Sequence, residues 1–530
     1  MKSLRICALL LLFLVISGTA LATAYNAQPK LVVIVIIDQF RADYLERAHD
    51  QFGPAGLRLL TERGAYFADC NYDYANTETA PGHATLLTGA YSDRHGILAN
   101  EMWREKDDRW ITAVSDDNVR VVGMPGAAPS ASPHNLLSET LGDELKMSTQ
   151  NRSRVYTVSL KDRAAVLTGG FSADGAFWIE PLSGTWISSS FYMKELPKWA
   201  QDFNASGRAA KYWNRDWKDA GGSVLQHTTR ESNSQFYYVI GGTGFGNEYE
   251  LDFARALVTN TNLGEGPATD LLVVSLSPND ILGHRVGPDS PQMQAMWLEM
   301  DRQLADFFAF LGQRIGLANV WLVLSSDHGV APVAEEIRDK DRIDAKRVDV
   351  PPLIARLNVA ISKRLNRPAS EFVHSSDYEF EHLYLSEGAF MASKLKEADA
   401  ERIVGEELLK LGYSSYFTKT QLQAGQVPPN ETGRRMLHSY APVAGWWVLG
   451  LQPPFALPAN LGTSHGSPYF YDTHVPLAFF GVPFQAGVYR GHCEPVDMAA
   501  TLASMLGINA PSKAIGRVLT EALRPREDAR

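Results

Sequence analysis

The chain has 530 residues, 45% of them hydrophobic and 21% charged, which is the balance of a globular protein. Its 60 carboxylates against 50 Lys and Arg give a formal net charge of −10, which argues against a surface that grips a nucleic-acid backbone. Three cysteines in this length exclude a fold built on a disulfide framework.

The first element, "MKSLRICALLLLFLVISGTALATA", carries Lys2 and Arg5, then an apolar run, then Ala22-Thr23-Ala24. This is the order of a secretory signal peptide with an A-x-A cleavage site, so residues 1–24 are expected to be removed. Cleavage takes away two cations and no acid, leaving 48 minus 60, or −12. No later stretch is long and apolar enough to span a bilayer, and residues 25–530 are expected to work in the periplasm or outside the cell. Cys70 and Cys493 survive cleavage, and nothing in the sequence brings them together.

"KLVVIVIIDQF" is apolar from Leu31 to Ile37 and stops at Asp38. A β-branched run without alternation predicts a strand buried on both faces, as in a parallel sheet between helices. Next, "YANTETAPGHATLLTG" (74–89) opens as polar, turn-like text and continues as a helix entered through Pro81 and left through Gly89. Thr79 stands just ahead of that proline. A threonine there is most often a helix cap, but a hydroxyl at a helix N-terminus is also placed to attack a bound phosphate.

"VYTVSL" leads directly into Lys161, Asp162 and Arg163, either a solvated turn or a cationic pair beyond a strand. "DLLVVSLSPNDILGH" runs from Leu271 to Leu276, apolar but for Ser275, and then offers Asp280 and His284. "NVWLVLSSDHG" is apolar from Val320 to Leu324 and then reaches Asp327 and His328. Near the end, "GTSHGSPYFYDTHVPLAFFG" holds His465 in a Gly/Ser-flanked loop and His474 directly ahead of a core strand; His465 is the preferred ligand of the two.

Ligands of parallel sheets gather beyond the carboxyl ends of the strands, and Asp38, Asp280, His284, Asp327 and His328 all lie there. Carboxylate oxygen mixed with imidazole nitrogen suits zinc or a neighbouring divalent metal. With His465 as the sixth ligand, two metals are served, an arrangement used on phosphoryl groups. His83 and His95 flank the region and are expected to orient its loop. The stretches between these clusters are too long for plain connections, so insertions are expected at about 174–250 and 335–460 within a single catalytic domain. The aromatic-rich "AFWIEPLSGTWISSSFYMKELPKWAQDF" is expected to build a pocket wall or cap.

On "IIDQFR", "NTETAPGHATLLTG", "HGILANEMW", "SLKDRAA", "SPNDILGH", "SSDHG" and "HGSPYFYDTHVP", the chain resembles the alkaline phosphatase superfamily. More narrowly it resembles the secreted, phosphate-irrepressible PafA-type enzymes, which use a threonine nucleophile. The resemblance implies an α/β fold, a three-layer α/β/α sandwich around a large, mostly parallel sheet with cap insertions. It implies one Zn2+ on Asp38, Asp327 and His328 with the Thr79 oxygen, and a second on Asp280, His284 and His465. Asn100, Lys161 and Arg163 would hold the substrate phosphate. The implied activity is hydrolysis of small phosphate monoesters through a phosphothreonine. Two cations near the phosphoryl group favour the dianionic monoester. A phosphodiesterase or nucleotide pyrophosphatase on the same fold and metals is the alternative. A sulfatase would need a C/S-x-P-x-R nucleophile setting, which Thr79-Ala80-Pro81 does not supply.

Overall fold

The computed structural model describes residues 28–126, 128–376, 381–443 and 445–524. The expected signal peptide, 1–24, lies outside the described residues. Eleven strands form the central sheet: β1 (Leu31–Ile37), β2 (Ala65–Phe67), β3 (Ser115–Val122), β4 (Pro129–Ala131), β5 (Val155–Ser159), β6 (Gly175–Ile179), β7 (Trp186–Ser189), β8 (Asp270–Leu276), β9 (Val320–Ser325), β10 (Leu477–Phe480) and β11 (Gly487–Tyr489). Across the sheet they run β11-β2-β10-β9-β1-β8-β5-β6-β7-β3-β4. The five central strands β9, β1, β8, β5 and β6 are mutually parallel. Only β10, β7 and β4 are reversed, so eight of the eleven share one direction.

The non-alternating run of β1 has the reason expected of it: every residue from Leu31 to Ile37 is fully buried. Leu31, Val33, Val35 and Ile37 face a core that also holds Phe253, Met296 and Leu304. Val32, Ile34 and Ile36 face a second core holding Leu86, Leu141 and Leu502. Helices therefore cover both faces. On the second face lie α1 (Thr79–Thr88), α2 (Leu141–Ser148) and, at the chain's end, Asp497–Leu506. On the first lie Gly244–Thr261 and Pro291–Ile315. At roughly 1.5–3 kcal/mol for each large aliphatic side chain removed from water, a strand apolar on both faces is a strong anchor for whatever its end carries. The register places Ile37 beside Leu276, and Ile36 beside Ser325. Three carboxyl ends thus open onto one edge of the sheet.

The aromatic stretch expected to form a wall or cap instead supplies β6 and β7 to the central sheet. Phe177 and Trp186 are fully buried, and Trp186 stacks on Phe253 at 4.1 Å. Within 335–460, four short strands in the order Val373–His374, His382–Leu385, Trp446–Leu451 and Ser415–Thr418 make a separate sheet. It packs with helices Val350–Arg364 and Glu397–Lys410 around its own core of Leu357, Ile361, Val404, Leu408 and Val448. This unit reaches back to the segments on either side of α1. The Tyr384 hydroxyl donates to the Glu101 carbonyl (3.1 Å), Ala75 N–H donates to Ser439 Oγ (2.7 Å), and the Asn76 amide donates to the Ser439 carbonyl (2.9 Å). Among the described residues, no helix is long and apolar enough to cross a membrane.

Candidate active site and metal centre

Helix α1 begins at Thr79, two residues earlier than Pro81, and ends at Gly89 in the left-handed region (φ 65°). Glu78 holds the N-cap position, so Thr79 is not the cap. The orphan N–H of Ala80 goes instead to Asn100 Oδ1 (2.9 Å), while Asn100 N–H donates to Glu78 Oε2 (2.7 Å). This two-way clasp ties Asn100 to the start of α1. Gly82 lets the helix press against the loop after β9: a Cβ there would lie 2.2 Å from the Asp327 carbonyl oxygen.

The two flanking histidines both hold this region. His83 Nδ1 donates to the Thr79 carbonyl (2.8 Å), and its Nε2 meets Ser275 Oγ on β8 (2.7 Å). His95 Nδ1 accepts from Ile97 N–H (3.1 Å), so the proton sits on Nε2 and is shared with Thr85 Oγ1 (3.2 Å). A neutral ring is required, and burial lowers the His95 pKa to about 3. Burial likewise lowers His382, beside Glu78, to about 4. Both folded values lie below the ordinary 6.5, so their contribution to stability is complete above that pH and is lost as pH falls towards them. The expected slope is about 1.4 kcal/mol per pH unit for each ring. Urea midpoints between pH 7.5 and 4.5 should fall less steeply for His95→Gln than for the parent; equal slopes would remove His95 from this account.

At the ends of β1, β8 and β9, Asp38, Asp280, Asp327 and His328 are buried, and His284 and His465 join them. His284 Nε2 lies 3.1 Å from Asp280 Oδ1, and His465 Nε2 lies 3.7 Å from the same oxygen. His328 Nε2 is 3.5 Å from both Asp38 Oδ1 and Asp327 Oδ2. Ligand atoms of Asp280, His284 and His465 fall within 4.8 Å of one another, as do those of Asp38, Asp280 and His328. A tetrahedral ion with bonds near 2.0–2.1 Å separates its ligand atoms by about 3.3 Å, close to these spacings.

The protonation pattern fits a cation equally well. Each imidazole donates Nδ1–H to a backbone carbonyl: His284 to Thr463 (3.0 Å), His328 to Gly329 (2.9 Å) and His465 to Thr77 (2.7 Å). Each Nε2 is thereby turned towards the carboxylates, where a bound cation would be favourably placed. His328 Nε2, Asp38 Oδ1 and Asp327 Oδ2 have no hydrogen-bond partner although buried. Burial, and then the Asp327 charge, push the Asp38 carboxyl well above the ordinary range. Burial acts the same way on Asp280, yet Lys161 and His284 hold it well below. His474 lies elsewhere. Its Nε2 bonds the Ala68 carbonyl (2.9 Å) and its ring stacks on Phe470.

Lys161 Nζ sits 2.7 Å from Asp38 Oδ2, 2.6 Å from Asp280 Oδ2 and 3.2 Å from Thr79 Oγ1. Although burial opposes its charge, the two aspartates raise its pKa and keep it an ammonium. Arg163 follows on the first turn after β5, and its nearest carboxylate is the adjacent Asp162, 3.9 Å away. Sequence reasoning missed four supporting residues. Gln39 adopts φ 62°, which lets its N–H reach Asp327 Oδ1 (3.1 Å) and its amide reach Asp280 Oδ1 (2.7 Å). Buried Glu250 accepts from Leu160 N–H (2.7 Å) and Ser277 N–H (3.3 Å), bracing the loops that carry Lys161 and Asp280. Glu78 positions Asn100, and Tyr237 lies close enough to Lys161 and Arg163 to feel their charge.

The profile of the type I phosphodiesterase / nucleotide pyrophosphatase family matches residues 32–410. Alkaline phosphatase PhoV of Synechococcus elongatus is 31% identical over 94% of this chain and 94% of its own length. A Myroides odoratus protein named calcium-transporting ATPase is 31% identical over 96% of this chain and 97% of its own. Among solved structures, wild-type alkaline phosphatase PafA superposes with a TM-score of 0.84 at 30% identity, covering 94% of this chain and 99% of that one.

Proposed function

Because the chain belongs to the type I phosphodiesterase / nucleotide pyrophosphatase family, we propose that it is an exported, zinc-dependent alkaline phosphatase acting on small phosphate monoesters through a phosphothreonine at Thr79. The alkaline phosphatase names of PhoV and PafA support the reaction class. The observation that carries the reading is Thr79 Oγ1 at a helix N-terminus, 3.2 Å from a buried ammonium whose partners Asp38 and Asp280 belong to the convergent Asp and His groups. The mature chain, 25–530, is read as one catalytic domain into which 335–460 is inserted. The bonds from Tyr384 and Ser439 to the catalytic edge support that reading.

Asp38, Asp327 and His328 would hold one zinc, and Asp280, His284 and His465 the other. Bound there, the two ions would lower the pKa of the attacking oxygens and offset the charge on the leaving oxygen. Thr79 Oγ1 attacks phosphorus and the bond to the leaving alcohol breaks; water then cleaves the phosphothreonine. The α1 N-terminus favours the negative charge, and Lys161, Arg163 and Asn100 hold non-bridging oxygens where it is concentrated. Asn100 is fixed for this by Glu78 and Ala80.

Dialysis against a chelator should abolish hydrolysis of a chromogenic monoester, and zinc should restore it. His465→Ala should lose bound metal while His474→Ala keeps it, as read by metal analysis. Full turnover in metal-free protein would end the two-metal mechanism. The Myroides name points to ATP, whose terminal phosphoryl group is also a dianion, so ATP belongs in the same assay.

A further inference from the structure

We propose that Cys70 and Cys493 are joined by a disulfide that cross-links the strand leading to the nucleophile with the strand leading to the helix packed beneath it. The two residues form an isolated parallel β-bridge although 423 positions apart. Backbone bonds lock the pairing on both sides: Asn71 N–H to the Cys493 carbonyl and Cys493 N–H to the Asp69 carbonyl, each 3.0 Å. A third tie comes from Tyr91, whose hydroxyl accepts from Asp73 N–H (2.9 Å) and donates to Glu494 Oε2 (2.8 Å). Both thiols are buried, at 0% and 1% exposure, and both belong to the core that holds Leu86 and Leu87. Among the described residues, neither cysteine belongs to a group of three or more ligand atoms close enough to hold a metal.

The placement has a mechanical meaning. Nine residues after Cys70 comes Thr79; four after Cys493 begins Asp497–Leu506, whose Leu502 shares a core with Leu86 and Leu87 of α1. A covalent bond between the two entry strands restrains the helix pair on which the nucleophile stands.

The chemistry is thiol–disulfide exchange with a small-molecule or protein disulfide as oxidant. One cysteine thiolate attacks a sulfur of the oxidant, displacing a thiolate and forming a mixed disulfide. The second cysteine attacks the protein sulfur of that bond and displaces the other thiolate. Two protein thiols are oxidised, one external disulfide is reduced, and the two protons leave with the two product thiols. Burial, with the neighbouring Cys493 thiol, pushes the Cys70 thiol well above its ordinary pKa. Exchange must therefore occur while the chain is still folding, and the finished bond is shielded from reductants.

The source of oxidant rests on the export reading, so the test separates the two. The mature chain is directed to an oxidising compartment by an unrelated export signal, and in parallel is made in the cytosol. Alkylation in denaturant should label no cysteine in the exported form and two after reduction, and a peptide map should recover Cys70 linked to Cys493. The cytosolic form and the Cys70→Ser/Cys493→Ser variant should melt several degrees lower, by equal amounts. Two alkylatable cysteines in the exported form would overturn the proposal, and so would a linked form that melts with the reduced one. Retention of the chain with its own leader in the cytosol would refute export and leave the cross-link standing.

Discussion

Thr79→Ala is expected to lower monoester turnover by at least about 10³-fold while leaving the metal content intact, because in the proposed mechanism the residue supplies the attacking oxygen, and it is no structural cap. The helix should survive, since its N-cap is Glu78 and the free N–H of Ala80 is taken by Asn100. Thr79→Ser keeps the oxygen and should keep much of the rate. Acid quenching during turnover should trap phosphate on Thr79. Wild-type turnover by Thr79→Ala, or phosphate on another residue, would refute the assignment.

The second large effect concerns substrate choice. Lys161→Ala with Arg163→Ala should depress monoester kcat/KM by roughly 10²- to 10⁴-fold, from about 1.5–3 kcal/mol for each charge-assisted bond lost and incomplete additivity. A methyl diester has one bare oxygen fewer and should lose far less, so the monoester-to-diester ratio is the quantity to follow. Lys161 also contacts Asp38 and Asp280, so metal content must be measured alongside. Arg163→Ala is the cleaner arm, because its nearest carboxylate is its neighbour Asp162. An unchanged ratio, or a parent enzyme that already favours diesters, would move the assignment to phosphodiesterase.

The parts legible in the sequence share a physical cause. Strands β1, β8 and β9 are buried on both faces, so they cannot alternate, and the carboxylates that follow them stand beyond the end of the sheet. That made the ligands' common edge readable, as did the order of Lys161 and Arg163 after β5. Residues whose role depends on distant partners left no such mark. Glu250 sits in an ordinary amphipathic helix, and only the fold brings it to Leu160 and Ser277. Gln39 is identified by a backbone angle. The β6–β7 stretch misled because its aromatics suited a pocket wall and a sheet core alike, and Phe253 on a later helix decides between them.

His465 bonds the Thr77 carbonyl across 388 positions, and Gln39 bonds Asp327 across 288. Contacts of such separation make for slow folding, because loop closure must precede any gain. During synthesis the consequence is temporal: a nascent chain carries the threonine early and has no second imidazole set until residue 465 has emerged. Chains arrested before that point should release no phosphate, however well their first half folds. The length of chain made before activity appears in a series of arrested products is the direct readout, and the onset should fall past residue 465.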